Sequence, residues 1–236
     1  MIRMTRLSSE QIPMTPAVPT IEQCLGYMDD FSMLENIRAH SLMVAQVAAV
    51  LLEGLRTADK TRHPLPAEDL VLAGALLHDI AKTPCLQTGC DHARAGAEIC
   101  VRLGYPEIAG IVEEHVLLRD HDDLRRQQGV FTAREIIYYA DKRVRHEEIV
   151  SLEDRLAYIL ERYSAGDPEI ERRIRENFAR CVQLEYSLFR FLSFTPEQLS
   201  PLVLRHREDA PLALFSAGGT VEFVGRTKET EKQEYG

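Results

Sequence analysis

The sequence predicts an all-α protein. Apolar residues recur at alternating spacings of three and four positions over long stretches such as residues 33–51, the period of a helix with one buried face. Helix starts are marked as well, because Thr20 with Gln23 and Thr132 with Glu135 have the spacing of a capping box. The sequence contains neither a series of alternating strands nor a repeat of fixed period. We therefore expect a helical bundle.

Length and charge limit the classes of function. The chain has 236 residues, of which 45% are hydrophobic and 28% charged, as in an ordinary globular protein. Its net charge of -9 argues against a general nucleic-acid binder. No uninterrupted apolar run approaches the ~20 residues that a membrane span needs, so we expect no membrane partner.

The termini and cysteines bear on the compartment. The first twenty residues contain no apolar core of a secretory signal. Five cysteines are present without a Cys-x-x-Cys pair, so neither a disulfide framework nor a zinc ribbon is indicated. Cys85 and Cys90 flank the loop that we expect after residue 82, and we assign them no role. These observations favour the cytoplasm.

The order of the helix signals predicts one main domain. Residues 1–19 are rich in Pro, Ser and Thr and lack a helical period, which predicts a flexible N-terminal arm. Helices fill residues 20–205, and the pattern then dissolves into a predicted flexible tail over residues 206–236. Within the domain, residues 83–91 and 119–129 are expected to form loops.

One stretch organises the chain. Residues 71–82 read Val-Leu-Ala-Gly-Ala-Leu-Leu-His-Asp-Ile-Ala-Lys, an apolar helix that ends with an imidazole beside a carboxylate. On a helical wheel His78 shares a stripe with Val71 and Ala75, and Asp79 lies at its edge. A carboxylate in the core is costly unless it is paired, and a metal ion is one such partner. The alternative is a helix C-terminus at which His78 is a cap and Asp79 faces solvent.

Six ionisable residues share this feature, since each lies in or at the edge of an apolar stripe. A lone histidine on such a stripe is more often a hydrogen-bonded core residue than a ligand, but six convergent exceptions would be costly without a counter-charge. Imidazole and carboxylate ligands without thiolate suit manganese, iron, zinc, magnesium or a similar divalent ion. One catalytic ion needs fewer ligands, so two ions bridged by Asp79 are an alternative to one. The six residues are His40, His78, Asp79, His92, His115 and Asp141.

The order of these residues resembles the signature of the HD superfamily of metal-dependent phosphohydrolases. Residues 76–82 are similar to the central motif of its HDIG branch, although Ala81 stands where that motif has Gly. Residues 40–45 and 139–142 resemble the flanking motifs. The similarity covers residues 33–145 and implies an HD-type helical domain, to which residues 151–203 add C-terminal helices.

The resemblance also implies a division of the ligands. His40, His78, Asp79 and Asp141 would hold the first metal. His92 and His115 resemble the additional histidines of members with two metals, such as the HD-GYP phosphodiesterases. No Gly-Tyr-Pro motif follows His115, however, so a cyclic dinucleotide is a poor expectation for the substrate.

The implied activity is hydrolysis of a phosphoester or phosphoanhydride by a metal-bound hydroxide. The acidic chain favours a small nucleotide-like substrate over a long polyanion. We assign catalytic roles to Asp79 and Lys82 and substrate contacts to Lys82, Arg38 and Lys142, each of which could instead be an ordinary surface charge. Two alternatives stay open: a di-iron oxygenase of the HD type, and a non-enzymatic module that senses a nucleotide. A homodimer also stays open.

Overall fold

The computed structural model describes residues 18–58 and 64–209, and these form α-helices around one hydrophobic core, with a small β-hairpin. The predicted all-α class is therefore confirmed. In chain order the elements are α1 (Ile21–Asp30), α2 (Glu35–Thr57), α3 (Glu68–Leu77), α4 (Lys82–Thr88), α5 (His92–Arg102), α6 (Pro106–Glu114), α7 (Asp123–Gln127), α8 (Ala133–Lys142), β1 (Val144–Arg145), β2 (Glu148–Ile149), α9 (Leu152–Tyr163), α10 (Pro168–Phe189), a 3₁₀-helix (Pro196–Gln198) and α11 (Leu199–Asp209).

Side-chain caps fix the predicted helix starts. The Thr20 and Thr132 side chains each accept a hydrogen bond from the backbone N–H three residues on, and the capping box is complete at both sites. Ser151 and Asp167 cap α9 and α10 in the same manner. These side chains satisfy N–H groups that have no partner inside the helix, which explains why local sequence marks the starts.

Helix α3 lies at the centre of the core. It packs against α1, α2, α6 and α8, and each of its residues from Leu70 to Leu77 is buried. A Cβ added at Gly74 would lie 2.8 Å from the Ile137 side chain on α8, so glycine allows this close approach. The core therefore holds the end of α3 in a fixed position.

Helix α2 is long and apolar enough, by length and composition, to cross a membrane. Two thirds of that apolar window is buried inside the protein, which is typical of a core helix. The apolar residues of α2 form no uninterrupted run, because His40, Ser41 and Gln46 lie among them.

Two expectations about the connections were wrong. Residues 83–91 include most of helix α4, and residues 119–129 include α7, whose Arg126 is buried in an ion pair with Glu135. Helix α8 ends at Lys142, and Val144 begins an antiparallel hairpin in which it pairs with Ile149.

The chain ends are described in part. Of the predicted arm and tail, residues 1–17 and 210–236 lie outside the described residues. The pattern that we expected to end at residue 205 continues, since α11 runs to Asp209. Helices α9, α10 and α11 are the additional C-terminal helices that the sequence predicts, and α10 packs against both α8 and α9.

Candidate metal centre

The end of α3 places His78 and Asp79 in the interior. The helix stops at Leu77, and residues 78–81 form a tight turn in which the Ile80 N–H donates to the Leu77 carbonyl. His78 is fully buried and Asp79 is 1% exposed. The alternative in which Asp79 faces solvent is thus wrong.

All six predicted ligand residues meet at this turn. His40 comes from the second turn of α2 and Asp141 from the last turn of α8. His92 is the first residue of α5, and His115 directly follows α6. Five helical segments that are distant in sequence therefore bring nitrogen and oxygen ligands to one place.

The side chains form two groups that share His78. In the first group, the Asp141 Oδ1 atom lies 3.0 Å from His40 Nε2 and 3.8 Å from His78 Nε2. In the second, His78 joins Asp79 and His115. The ligand atoms of each group lie within 4.8 Å of one another, which is close enough for one ion to contact all three.

His92 extends the second group. Its Nε2 lies 3.4 Å from Asp79 Oδ1, and His115 Nε2 lies 3.5 Å from the same oxygen. The two Nε2 atoms are 3.2 Å apart. Asp79 Oδ2 lies 3.4 Å from His78 Nε2, so the two carboxylate oxygens face different imidazoles. This placement would suit a carboxylate shared between two groups of ligands.

Backbone carbonyls fix the orientation of three imidazoles. A carbonyl can only accept a hydrogen bond, so each contacting Nδ1 carries the proton and each neutral ring presents the Nε2 lone pair to the centre. Metal-binding histidines are commonly held in this way. The contacts are His40 Nδ1 to the His146 carbonyl at 3.1 Å, His78 Nδ1 to the Ala75 carbonyl at 2.7 Å, and His115 Nδ1 to the Val112 carbonyl at 2.6 Å.

Two buried atoms at the centre are unsatisfied. His78 Nε2 and Asp79 Oδ1 have no hydrogen-bond partner within the described part of the chain. Buried polar atoms are almost always paired, and a missing ion is one explanation for exceptions. Both atoms have lone pairs that a cation would accept, and the nitrogen–oxygen set suits manganese, iron or zinc. The residues present therefore fit a divalent metal.

The surrounding charges favour the ionised forms of Asp79 and Asp141, the forms in which a carboxylate binds a metal. Burial alone would raise the pKa of Asp79, but the Lys82 ammonium and His78 hold it well below its usual range. Burial likewise opposes ionisation of Asp141, and Lys142 and His40 keep its pKa well below the usual range. Both carboxylates are therefore charged near pH 7.

The pKa values of the imidazoles shift in different directions. Burial lowers the pKa of His40, although Asp141 partly offsets it, and burial lowers the pKa of His92 to about 4. Burial also acts to lower the pKa of His78, but Asp79 and Asp141 outweigh it and raise that pKa. His40 and His92 are thus neutral near pH 7, the form in which an imidazole binds a metal.

A protein-family model described as the HD domain matches residues 37–166, more than half of the chain. The chain belongs to the HD domain family. HD domains bind divalent metals, and membership supports a metal-dependent hydrolase superfamily. The matched range includes all six predicted ligand residues.

One curated relative matches part of the HD domain chain. This relative is a tRNA (cytidine(56)-2'-O)-methyltransferase of Picrophilus torridus. The two proteins are 37% identical over 100 residues, which are 42% of this chain and 26% of that protein. The chain thus spans about a quarter of the length of that relative. No solved structure matches the chain.

The basic residues assigned to substrate lie in three different environments in this HD domain. Lys82 Nζ lies 2.7 Å from Asp79 Oδ2, and its side chain is 29% exposed. Arg38 forms an ion pair with Asp29 on α1. Lys142 is buried and donates to the His115 carbonyl at 2.9 Å. The geometry favours substrate contact for Lys82, whose side chain is partly exposed. Lys142 instead holds the backbone carbonyl of His115, a predicted ligand.

Two features of the site had no clear sequence signal. Cys85 and Cys90 form a disulfide, although we had assigned them no role. Gly89, with a φ of +69°, ends α4 and turns the chain back, so their Cα atoms come within 4.8 Å. His146 contributes only its carbonyl oxygen to the orientation of His40, and a backbone contact leaves no residue-type signature.

Proposed function

We propose that this protein is a metal-dependent phosphohydrolase that cleaves a phosphoester or phosphoanhydride of a small nucleotide-like substrate. One observation carries the proposal: a buried carboxylate, Asp79, faces imidazoles from three helical segments and retains an oxygen without a partner in the described residues. Such a carboxylate is suited to hold two cations. When bound, the metal supplies Lewis acidity and an activated water for displacement at phosphorus.

The ligand residues have defined tasks in this proposal. His40, His78, Asp79 and Asp141 would hold one ion, and His92 and His115 with Asp79 would hold a second. The two carboxylates balance part of the cationic charge. The imidazoles oriented by backbone carbonyls would present Nε2 to the cations, and an imidazole that binds a metal does so in its neutral form.

Lys82 is the residue best placed to contact substrate. Burial alone would lower its pKa, but the Asp79 carboxylate raises it, so the side chain remains an ammonium. An ammonium cannot accept a proton, and Lys82 therefore acts by charge rather than as a general base. Its partial exposure beside Asp79 suits stabilisation of the negative charge that develops on phosphoryl oxygens.

The proposed substrate is small for an electrostatic reason. A chain with a net charge of -9 repels an extended polyanion, whereas a single phosphate can be neutralised locally by the metal and Lys82. The methyltransferase relative is named for an action on tRNA, but the match covers only a quarter of that protein, so tRNA is not our first expectation.

Phosphate release by the metal-loaded protein tests the proposal. Purified protein is stripped of metal, reloaded with Mn²⁺, Mg²⁺ or Fe²⁺, and supplied with nucleoside mono-, di- and triphosphates and dinucleotides. We expect phosphate or nucleotide release that EDTA abolishes. Product that forms only with dioxygen and Fe²⁺ would indicate the oxygenase instead, and tight nucleotide binding without turnover would indicate a sensing module.

His206→Ala provides a matched control for His115→Ala. His206 lies on α11, outside both groups of potential ligands. His115→Ala is expected to abolish hydrolysis and His206→Ala to retain it. Hydrolysis that survives both metal removal and His115→Ala would contradict the proposal.

A further inference from the structure

The Cys85–Cys90 disulfide joins two helices that each carry a residue of the candidate metal centre. Helix α4 begins at Lys82 and contains Cys85. Helix α5 begins at His92, two residues after Cys90. Lys82 and His92 both contact the Asp79 carboxylate, at 2.7 Å and 3.4 Å. The disulfide therefore closes the connection between a proposed substrate-binding residue and a predicted metal ligand.

The connection itself is exposed, and its hydrogen bonds are local. Residues 86–91 are all exposed. The Gly89 N–H donates to the Cys85 carbonyl, and the Asp91 side chain accepts from two N–H groups in the first turn of α5. These hydrogen bonds shape the turn and cap the helix, but they do not join the start of α5 to α4. The disulfide supplies that covalent link.

His92 depends on this connection more than its neighbours in the centre do. Its side chain is 29% exposed, whereas the side chain of His115 is 2% exposed. Backbone carbonyls accept from Nδ1 of the other three histidines of the centre, and within the described part of the chain no such contact holds His92. The position of the His92 ring therefore follows the start of α5.

Solvent reaches one end of the disulfide. Cys90 is exposed, whereas Cys85 is 6% exposed. The three remaining cysteines are buried, and burial raises the pKa of each thiol to about 12, so they stay unreactive thiols. Of the five cysteines, the Cys85–Cys90 pair is therefore the one that can exchange with a dissolved thiol.

A dithiol would open the disulfide in two steps. One thiolate of the dithiol attacks Cys90 Sγ, a bond forms between these sulfurs, and the bond to Cys85 Sγ breaks with its electron pair on Cys85, which takes a proton. The second thiolate then attacks the sulfur of the dithiol in this mixed disulfide and releases Cys90, which also takes a proton. Two electrons thus pass to the protein, and the dithiol becomes a cyclic disulfide.

We propose that the Cys85–Cys90 disulfide is a reversible redox site that controls binding of the second metal ion. The inference rests on the metal centre of the proposed function, because it assigns the regulation of that centre. In the oxidised protein the closed connection holds His92 beside Asp79. Reduction releases the covalent link, so the start of α5 moves more freely and an ion held by Asp79, His92 and His115 is bound more weakly.

Calorimetric titration with Mn²⁺ tests this control. The metal-free protein is titrated in its oxidised form and after reduction with dithiothreitol, which is removed under argon before the metal is added. We expect two binding events in the oxidised protein. Reduction should leave the first unchanged and weaken the second about tenfold, a loss of the size that opening a short loop allows. Reoxidation should restore the second event.

Cys90→Ser separates loss of the disulfide from other effects of the reductant. Cys90 is exposed, so the substitution disturbs no buried side chain. The variant should bind the second ion as weakly as the reduced wild type, and dithiothreitol should not change its binding. Equal Mn²⁺ affinities of the oxidised wild type, the reduced wild type and Cys90→Ser would overturn the proposal. A single binding event in the oxidised wild type would overturn it as well.

Hydrogen–deuterium exchange in the metal-free protein tests the structural step by itself. The N–H groups of Ala93 and Arg94, which Asp91 caps, should exchange several-fold faster after reduction, whereas those in the middle of α2 should not change. Unchanged exchange at the start of α5 would overturn the proposal.

The two proposals fail separately. A protein whose second Mn²⁺ site responds to dithiothreitol but which hydrolyses no phosphoester would support this inference and contradict the proposed function. Hydrolysis by the oxidised and the reduced protein with the same Mn²⁺ requirement would support the function and contradict the redox control.

Discussion

Asp79→Asn is the substitution that most changes the candidate metal centre at constant shape. Asparagine has nearly the volume of aspartate but no negative charge. Asp79 is 1% exposed, and its oxygens lie within 3.5 Å of three imidazole nitrogens and 2.7 Å from Lys82 Nζ. The variant therefore removes the charge that faces His78, His92 and His115.

The size of the effect follows from binding linkage. A ligand present at a hundred times its Kd stabilises the folded state by about 2.7 kcal/mol. For a chain of this length each kcal/mol raises Tm by about 2–4 °C, so Mn²⁺ should raise the Tm of the wild type by about 5–11 °C. Asp79→Asn should lose most of this increase.

The metal-free variant should remain folded. Removal of one partner of a buried ion pair costs about 3–5 kcal/mol when it leaves a buried charge behind. The Lys82 side chain is 29% exposed and its ammonium can turn towards water, so we expect a smaller cost of about 1–2 kcal/mol.

Thermal unfolding with and without Mn²⁺, followed by circular dichroism, measures both effects. Asp69→Asn is the matched control, since Asp69 lies in the first turn of α3, ten residues before Asp79. The control should keep the full rise in Tm. A rise in Asp79→Asn equal to that of the wild type, with helical content intact, would refute the reasoning.

Three further predictions follow from the site. Lys82→Ala should leave metal content unchanged and lower kcat or raise KM, because an ammonium cannot ligate a cation; loss of metal in this variant would count against the assignment. In the metal-free protein, His92 should stay neutral as the pH falls from 6.5 to near its lowered pKa of about 4, and an NMR titration with a midpoint near pH 6.5 would contradict this. Alkylation should modify no cysteine of the native oxidised protein, because Cys24, Cys100 and Cys181 are buried and Cys85 and Cys90 form the disulfide. After reduction, alkylation should modify Cys90. Modification of Cys90 before reduction would exclude the disulfide.

Local chemistry explains what the sequence could predict. The capping boxes at Thr20 and Thr132 need only residues three positions apart, and both form as expected. The apolar run before His78 likewise predicts a buried helix end, and the structure buries it. The convergence of six ionisable side chains was expected from their apolar stripes, while their binding of metal stays a prediction.

Tertiary contacts explain what the sequence could not predict. Helix α7 has only five residues, and its Arg126 is held by Glu135 on α8 at 2.7 Å, a partner that no local pattern reveals. Lys142 is beside Asp141 in sequence, yet its ammonium contacts the His115 carbonyl rather than open solvent.

Metal content per chain tests the central claim most directly. The wild type, His92→Ala and His115→Ala are saturated with Mn²⁺, freed of excess metal and analysed by inductively coupled plasma mass spectrometry. Two ions bridged by Asp79 predict about two ions per wild-type chain and about one in each variant, because His40, His78, Asp79 and Asp141 still hold the first ion. One ion per chain, unchanged in both variants, would show a mononuclear site, and no bound ion in the wild type would contradict the metal centre itself.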